Sequence, residues 1–365
     1  MTSIIKAPSR YIQGKGEIKN LAKHLGKLGS KYLILLSERT YERVGDDIKA
    51  SFNESETVIV FEYFNGECSL SEIERVMEIA KGNVSDGIIA VGGGKTIDTA
   101  KAVAQKLDLP VVIIPTIASN DAPCSGLSVV YNDQGVVVKV IYSKRNPDLV
   151  LVDSEIISKA PVSLLVAGMG DALATYFEAR AVKASGARNM ARGNVTNTAM
   201  IMSRLCYDLL IANGVEAKKA AENKEVNEAL ESVLEANILL SGIGFESGGL
   251  AAAHAINDGF TFVTQAHDKL HGEKVAFGTL VQLVLENGCK DELNEVLDFL
   301  ISVGLPVTLA DLGITNVIEA EIRDVAKAAC VKTQSTKNMP FLVSEEDVYN
   351  AIMKADEIGR ARKEK

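Results

Sequence analysis

The sequence predicts an α/β amino-terminal domain built on a parallel sheet, followed by an all-α carboxy-terminal domain. Two observations carry that expectation. Short apolar, β-branched runs alternate with helical patterns through the first half, and strand patterns then stop. The length of 365 residues also exceeds the ~250–300 at which a single core stops growing. We place the boundary near "SKAPVSLL", giving residues 1–160 as a dinucleotide-binding α/β domain and 161–365 as a helical metal-binding domain.

The elements follow in order. "KYLILLS" (31–37), "TVIVFEYF" (57–64), "DGIIAVGG" (86–93), "PVVIIPT" (110–116) and "PDLVLVD" (147–153) read as short buried strands. "SLSEIERVMEIAKG" (69–82) and "KTIDTAKAVAQKL" (95–107) read as helices between them, so the strands pair in parallel through right-handed crossovers. "LSVVYNDQGVVVKVIY" (127–142) differs. Two alternating runs flank Asn132-Asp133-Gln134-Gly135, a hairpin signal. Beyond Pro161, which starts a helix, segments 191–212, 226–243, 274–287 and 290–303 carry helical apolar spacing. A ligand is expected in a cleft between the two parts.

Composition excludes several classes of function. A net charge of −9 disfavours nucleic acid, whose phosphates demand clustered Lys and Arg. The opening "MTSIIKAPSRYIQGKG" lacks the apolar core of a secretion signal, and no uncharged run approaches the ~20 residues of a spanning helix. The five cysteines (68, 124, 206, 289, 330) show no CxxC spacing and read as buried structural thiols in a reducing cytoplasm.

"IIAVGGGKTIDTAKA" sets Gly92, Gly93 and Gly94 between a buried strand and a helix. Without Cβ atoms the backbone turns sharply and approaches an anion, and the helix offers unpaired N–H groups to a dinucleotide pyrophosphate. The spacing matches neither a Walker A loop nor GxGxxG. Lys95 adds charge, whereas Lys101 reads as a surface helix residue.

Three of the four histidines, His254, His267 and His271, fall within 251–278. His254 sits in the small-residue stretch "GGLAAAHAIND", where a polar ring must find a partner. His267 and His271 are four apart and would share one face of a helix. Two histidines and a carboxylate make a three-ligand catalytic set that leaves a coordination position open for substrate. Asp171, an isolated charge in the apolar "LLVAGMGDALATYFEA" near a helix start, is the candidate acid, against the plainer reading of a helix cap. Spacing does not choose between His267 and His271. Zinc is the first expectation for the ion, with Fe(II) suited by the same donors.

"GGGKTIDTAKA", "PTIASNDAPCSGLSVVY", "GDALATYFEARA", "GFESGGLAAAHAIN" and "HGEKVAFGTLVQLVLEN" together resemble the iron-containing (group III) alcohol dehydrogenase family, in its glycerol-oxidising members. The resemblance spans nearly the whole chain. It implies a Rossmann-like domain, a helical domain (the dehydroquinate synthase-like fold) and a divalent metal between them. It also implies homo-oligomers, octamers in the family. It assigns Asp171, His254 and His271 as metal ligands, leaving His267 as a pocket neighbour, and places Asp121 of "SNDAP" against substrate hydroxyls. Gly94, Lys95, Thr116, Ser119, Ser125, Leu127 and Tyr131 match the family's NAD contacts, and Phe245 resembles a pocket-lining aromatic. One position departs. The family's acid at the end of the first strand, which holds the adenosine ribose, is Ser37 here, followed by Glu38 and Arg39. A carboxylate there favours NAD and repels the 2′-phosphate of NADP. Glu38 substitutes or discrimination is relaxed; NAD is the expectation, with NADP the alternative.

The function implied is reversible oxidation of a small vicinal diol, glycerol first, to a hydroxyketone such as dihydroxyacetone, the ion acting as a Lewis acid. No residue stands out as general base. Three rivals are an NADP-dependent reductase of 2-oxo acids, a lyase or a glycerol-1-phosphate-forming enzyme, and a non-catalytic nucleotide-binding protein. The second would need basic residues at the pocket, and "SNDAP" is acidic.

Overall fold

The computed structural model describes residues 2–132, 135 and 137–364. Among those residues eight strands are present: β1 (Tyr11–Gly14), β2 (Lys31–Leu36), β3 (Val58–Tyr63), β4 (Gly87–Gly92), β5 (Val111–Pro115), β6 (Leu127–Tyr131), β7 (Val137–Tyr142) and β8 (Leu149–Asp153). Six form one sheet in the order β1-β8-β5-β4-β2-β3, every pair parallel. β6 and β7 form a separate antiparallel pair. Five helices accompany the strands: α1 (Leu21–Leu25), α2 (Glu38–Ser51), α3 (Leu70–Gly82), α4 (Gly94–Leu107) and α5 (Ser154–Ser158). Nine more follow among the described residues: α6 (Val162–Ser185), α7 (Asn197–Glu222), α8 (Glu228–Leu234), α9 (Ser241–Gly248), α10 (Ala252–Phe260), α11 (His271–Glu286), α12 (Lys290–Val303), α13 (Glu319–Ala329) and α14 (Glu345–Lys363).

The strand side chains split by their period of two. Ile34, Leu36, Ile89, Val91, Val112 and Ile114 point to one face and pack on α1 and α2. Leu33, Leu35, Ile88, Ala90 and Ile113 point to the other, into a core that continues through α3 and α4 into the helical half. The strand order reverses between β2 and β4, which places a crevice at their carboxyl ends. In open α/β sheets that switch point is where ligands bind.

All five expected strands and the hairpin form. Gly135 takes φ +73° and its N–H donates to Asn132 O at 3.0 Å, while Asp133 and Gln134 lie outside the described residues. β1 is additional. Its four half-buried residues carry no apolar alternation, and pairing with β8 defines it. The segment 191–212 is helical only from Asn197. Before it, Asn189 Oδ1 accepts the Gly193 N–H at 2.9 Å and Arg192 adopts φ +67°, and Thr196 then caps α7 at Ala199 N. Between α8 and α9 the helix widens into a π-turn, Glu235–Leu240. The amino terminus packs on the helical half, with Asn189 Nδ2 donating to Ile4 O at 2.9 Å and Lys6 N to Ser247 Oγ at 2.9 Å. Cys68, Cys124 and Cys206 are buried as expected, but Cys289 is exposed and Cys330 half-buried. Among the described residues no helix is long and apolar enough to cross a membrane.

Candidate active site and metal centre

Asp171 lies midway along α6, far from its first turn, so it is not a helix cap. The residue is 2% exposed, and among the described residues neither carboxylate oxygen finds a hydrogen-bond partner. A bare buried carboxylate is costly unless a cation stands beside it. Two imidazoles do. His254 Nε2 is 3.3 Å from Asp171 Oδ1, and His271 Nε2 is 3.2 Å from the same oxygen. One donor atom from each of the three residues lies within 4.8 Å of the others. Two ligands about 2.0–2.1 Å from a tetrahedral zinc stand ~3.3 Å apart, so the spacing fits an ion at their centre.

Burial would raise the Asp171 carboxyl, but His271 and His254 outweigh it and hold it well below the usual range. His254 shows the converse. Burial opposes its charge, and Glu178 and Asp171 overcome that and push the imidazole well above its ordinary value. Without an ion, a proton on the His254 ring takes over part of its charge-balancing role, and metal binding displaces it.

His271 opens α11, whereas His267 ends a short 3-10 turn, Thr264–Ala266. The two therefore do not share a helix face. His267, expected as a pocket neighbour, is exposed, its Nε2 meets Thr261 O at 3.0 Å, and it is not one of the three clustered donors. Phe245, 8% exposed, stacks on His254 with ring centres 6.4 Å apart and planes 29° from parallel. It shields one face of that ring from water.

Asp121 feels the same cluster. Burial first, then the Asp171 charge, push its carboxyl well above the usual range, against weaker pulls from His254 and Lys101. Its loop is pinned to the helical half. Gly168 of α6 approaches so closely that a Cβ there would sit 1.9 Å from Ala118 O, and Asn237 of the π-turn donates to both Ala118 O and Leu165 O at 3.1 Å.

The glycine turn forms as expected, with Gly93 at the N-cap of α4 and no side chain capping it. Thr116 N donates to Gly92 O at 3.0 Å, and a Cβ on Gly94 would meet Asn120 Nδ2 at 3.0 Å, so the turn lies against the Asp121 loop. Lys95 is exposed, pairs with Glu67 at 2.6 Å and lies over the Tyr131 ring at 5.5 Å. Leu127 and Tyr131 sit at the two ends of β6, and Ser119 is half-buried beside Ala118. The Ser37 hydroxyl, at the carboxyl end of β2, caps α2 through Thr40 N at 3.2 Å, while Glu38 and Arg39 are exposed in that helix's first turn.

Lys101 corrects the surface expectation: it is 2% exposed. Its Nζ is 2.9 Å from Asp98 Oδ1, 2.8 Å from Ala122 O, and 3.3 and 3.4 Å from Ser125 O and Oγ. A buried lysine needs such partners, and here they are the loop bearing Asp121 and Ser125. Glu178, which the sequence reading passed over, is fully buried and contacts His254 Nδ1 through Oε2 at 2.6 Å. It lies seven residues after Asp171, on the same face of α6, and that spacing was the available signal.

The family model for iron-containing alcohol dehydrogenase matches residues 8–154. The glycerol dehydrogenase of Citrobacter freundii is 46% identical over 360 residues, spanning 99% of each chain. The glycolaldehyde reductase of Halobacterium salinarum is 42% identical, again over 99% of each. Among solved structures, the glycerol dehydrogenase of Schizosaccharomyces pombe superposes with a TM-score of 0.94 at 35% identity, over 99% of this chain and 92% of that one. A probable glycerol dehydrogenase from Sinorhizobium meliloti 1021 gives 0.91 at 43% identity, over 98% and 99%.

Proposed function

The chain belongs to the iron-containing alcohol dehydrogenase family, and on that premise we infer a metal-dependent oxidoreductase that reversibly oxidises glycerol to dihydroxyacetone with NAD. The observation that carries the reading is the bare, buried Asp171 carboxylate facing His254 and His271. Those three residues would hold the ion, and zinc is proposed over Fe(II) for its tetrahedral habit with nitrogen and oxygen donors. When bound, the ion supplies Lewis acidity that lowers the pKa of an alcohol hydroxyl. The dinucleotide, when bound, is the hydride acceptor.

The chain's own residues do the rest. Asp121, beside the donor cluster, would hold a second hydroxyl and so select diols over simple alcohols. Phe245 keeps water off one face of His254. The N–H groups opening α4 after Gly93, with Gly92 and Gly94 allowing close approach, would hold the pyrophosphate. Thr116, Ser119, Ser125, Leu127 and Tyr131 would line the cofactor's course, with Lys95 swinging from Glu67 to the phosphates. With Ser37 used as a cap, Glu38, the next residue, would be the carboxylate that holds the ribose and favours NAD over NADP. We retain the division near residue 160 as a proposal, and a homo-oligomer too, supported by Ile201, Leu205 and Val215 exposed along α7.

A panel of glycerol, glycolaldehyde and 2-oxobutyrate with both cofactors, before and after chelation, tests the reading. NAD reduction with glycerol that chelation abolishes and zinc restores is expected. Chelator-insensitive turnover, or activity confined to 2-oxobutyrate with NADPH, would overturn it.

A further inference from the structure

The first turn of α10 carries His254, yet its cap residue is Ala251, which has no side-chain acceptor for the exposed N–H groups. Two residues from other helices supply the acceptors. Glu178 Oε1 takes the N–H of Ala251 at 2.8 Å and of His254 at 3.1 Å. Gln282 Oε1, from α11, takes Ala252 at 3.1 Å and Ala253 at 3.0 Å. Only Glu178 also reaches the ring, its second oxygen lying 2.6 Å from His254 Nδ1.

We propose that Glu178 is the positioning residue that prepares His254 as a metal ligand. The inference rests on the metal centre proposed above. An ionised carboxylate only accepts hydrogen bonds, so Nδ1 carries the proton and Nε2, the nitrogen facing Asp171, is left with a lone pair for the ion. Oε1 fixes the backbone at His254 while Oε2 fixes its ring, so one side chain sets both position and tautomer. Such partners of ligating histidines raise metal affinity by about 10–100-fold.

Glutamine cannot do the same. It offers one acceptor where two are needed, so its amide N–H₂ faces either the Ala251 and His254 N–H groups or Nδ1 itself. The second arrangement moves the ring proton to Nε2 and removes the ligand. Gln282 is the internal control, because it shares the capping task and never touches the ring.

The experiment is a Zn²⁺ titration of the full chain against a chromophoric chelator, with thermal melts alongside. Glu178→Gln is expected to bind zinc about 10–100-fold more weakly than the unaltered chain. Gln282→Leu is expected to melt lower while holding zinc within about threefold of the unaltered chain. Equal affinity for Glu178→Gln, or an equal loss in Gln282→Leu, overturns the inference and leaves the metal centre standing. Should the unaltered chain hold no zinc that His271→Ala abolishes, the metal centre falls and this inference with it. If Glu178→Gln does not fold, Glu178→Asp replaces it. One methylene shorter, aspartate cannot span backbone and ring together, and undiminished affinity in that variant is equally fatal.

Discussion

Replacing Lys101 with methionine keeps the stem of the side chain and deletes its charge. Lys101 and Asp98 are 2% and 6% exposed, with 2.9 Å between charges. Methionine strands the Asp98 carboxylate and leaves Ala122 O and Ser125 O without their donor. Breaking a buried pair from one side destabilises by about 3–5 kcal/mol. Unfolding entropy of ~2.1 cal/mol/K per residue amounts to ~0.8 kcal/mol/K over 365 residues, so Tm should fall by about 4–6 °C. The partner change is informative. In Asp98→Asn the amide oxygen can still accept the Val129 N–H that Asp98 Oδ2 now takes at 3.0 Å, so the double variant with Lys101→Met should recover part of the loss. Calorimetry on the four proteins reads this directly. A Lys101→Met melt within about 1 °C of the unaltered chain, or a double variant whose losses simply add, would refute a charge-paired strut under the Asp121 loop.

Further outcomes follow from the same geometry. Asp121→Ala should raise KM for glycerol by about 2–10-fold while leaving zinc content unchanged, as expected when an ordinary hydroxyl partner is lost (~0.5–1.5 kcal/mol); unaltered kinetics would remove Asp121 from the substrate. Gly168→Val would drive a side chain into Ala118 O and should displace the loop, lowering both Tm and activity; a fully active, equally stable variant would contradict the close approach. Burial pushes Cys68 up to about 12, burial with the Glu345 and Asp347 charges pushes Cys330 up to about 11, and Cys289 is exposed. At pH 8 an alkylating reagent should therefore label Cys289 fast, and peptide mapping showing Cys68 labelled first would contradict the packing. His254, raised in the metal-free chain, adds stability that is full below its ordinary value near 6.5 and is lost as pH rises through its folded value. The ion competes with that proton, so zinc affinity measured by chelator competition should weaken as pH falls; a flat profile would contradict the competition.

Much of this architecture was legible in the chain. The central strands are buried on both faces, so they read as continuous apolar runs, and the glycine turn stands out against them. β1 was not legible, because "YIQG" becomes a strand through its partner β8 and has no pattern of its own. The choice between His267 and His271 was not open to spacing, since the break between the 3-10 turn and α11 is tertiary. Lys101 misled for a general reason: a lysine in an amphipathic helix is solvated unless partners arrive from elsewhere, and these come from residues 122 and 125. Glu178 was passed over because an acid in a helix is ordinarily solvated, and the His254 ring that buries it comes from another helix, 76 residues on.

The central claim is that one divalent ion sits among Asp171, His254 and His271. Anomalous diffraction at the zinc edge, on crystals grown with zinc, tests it most directly. The account predicts a strong peak about 2.0–2.2 Å from Asp171 Oδ1, His254 Nε2 and His271 Nε2. A crystal whose strongest peak lies elsewhere, with these three side chains bonded only to one another, would contradict it.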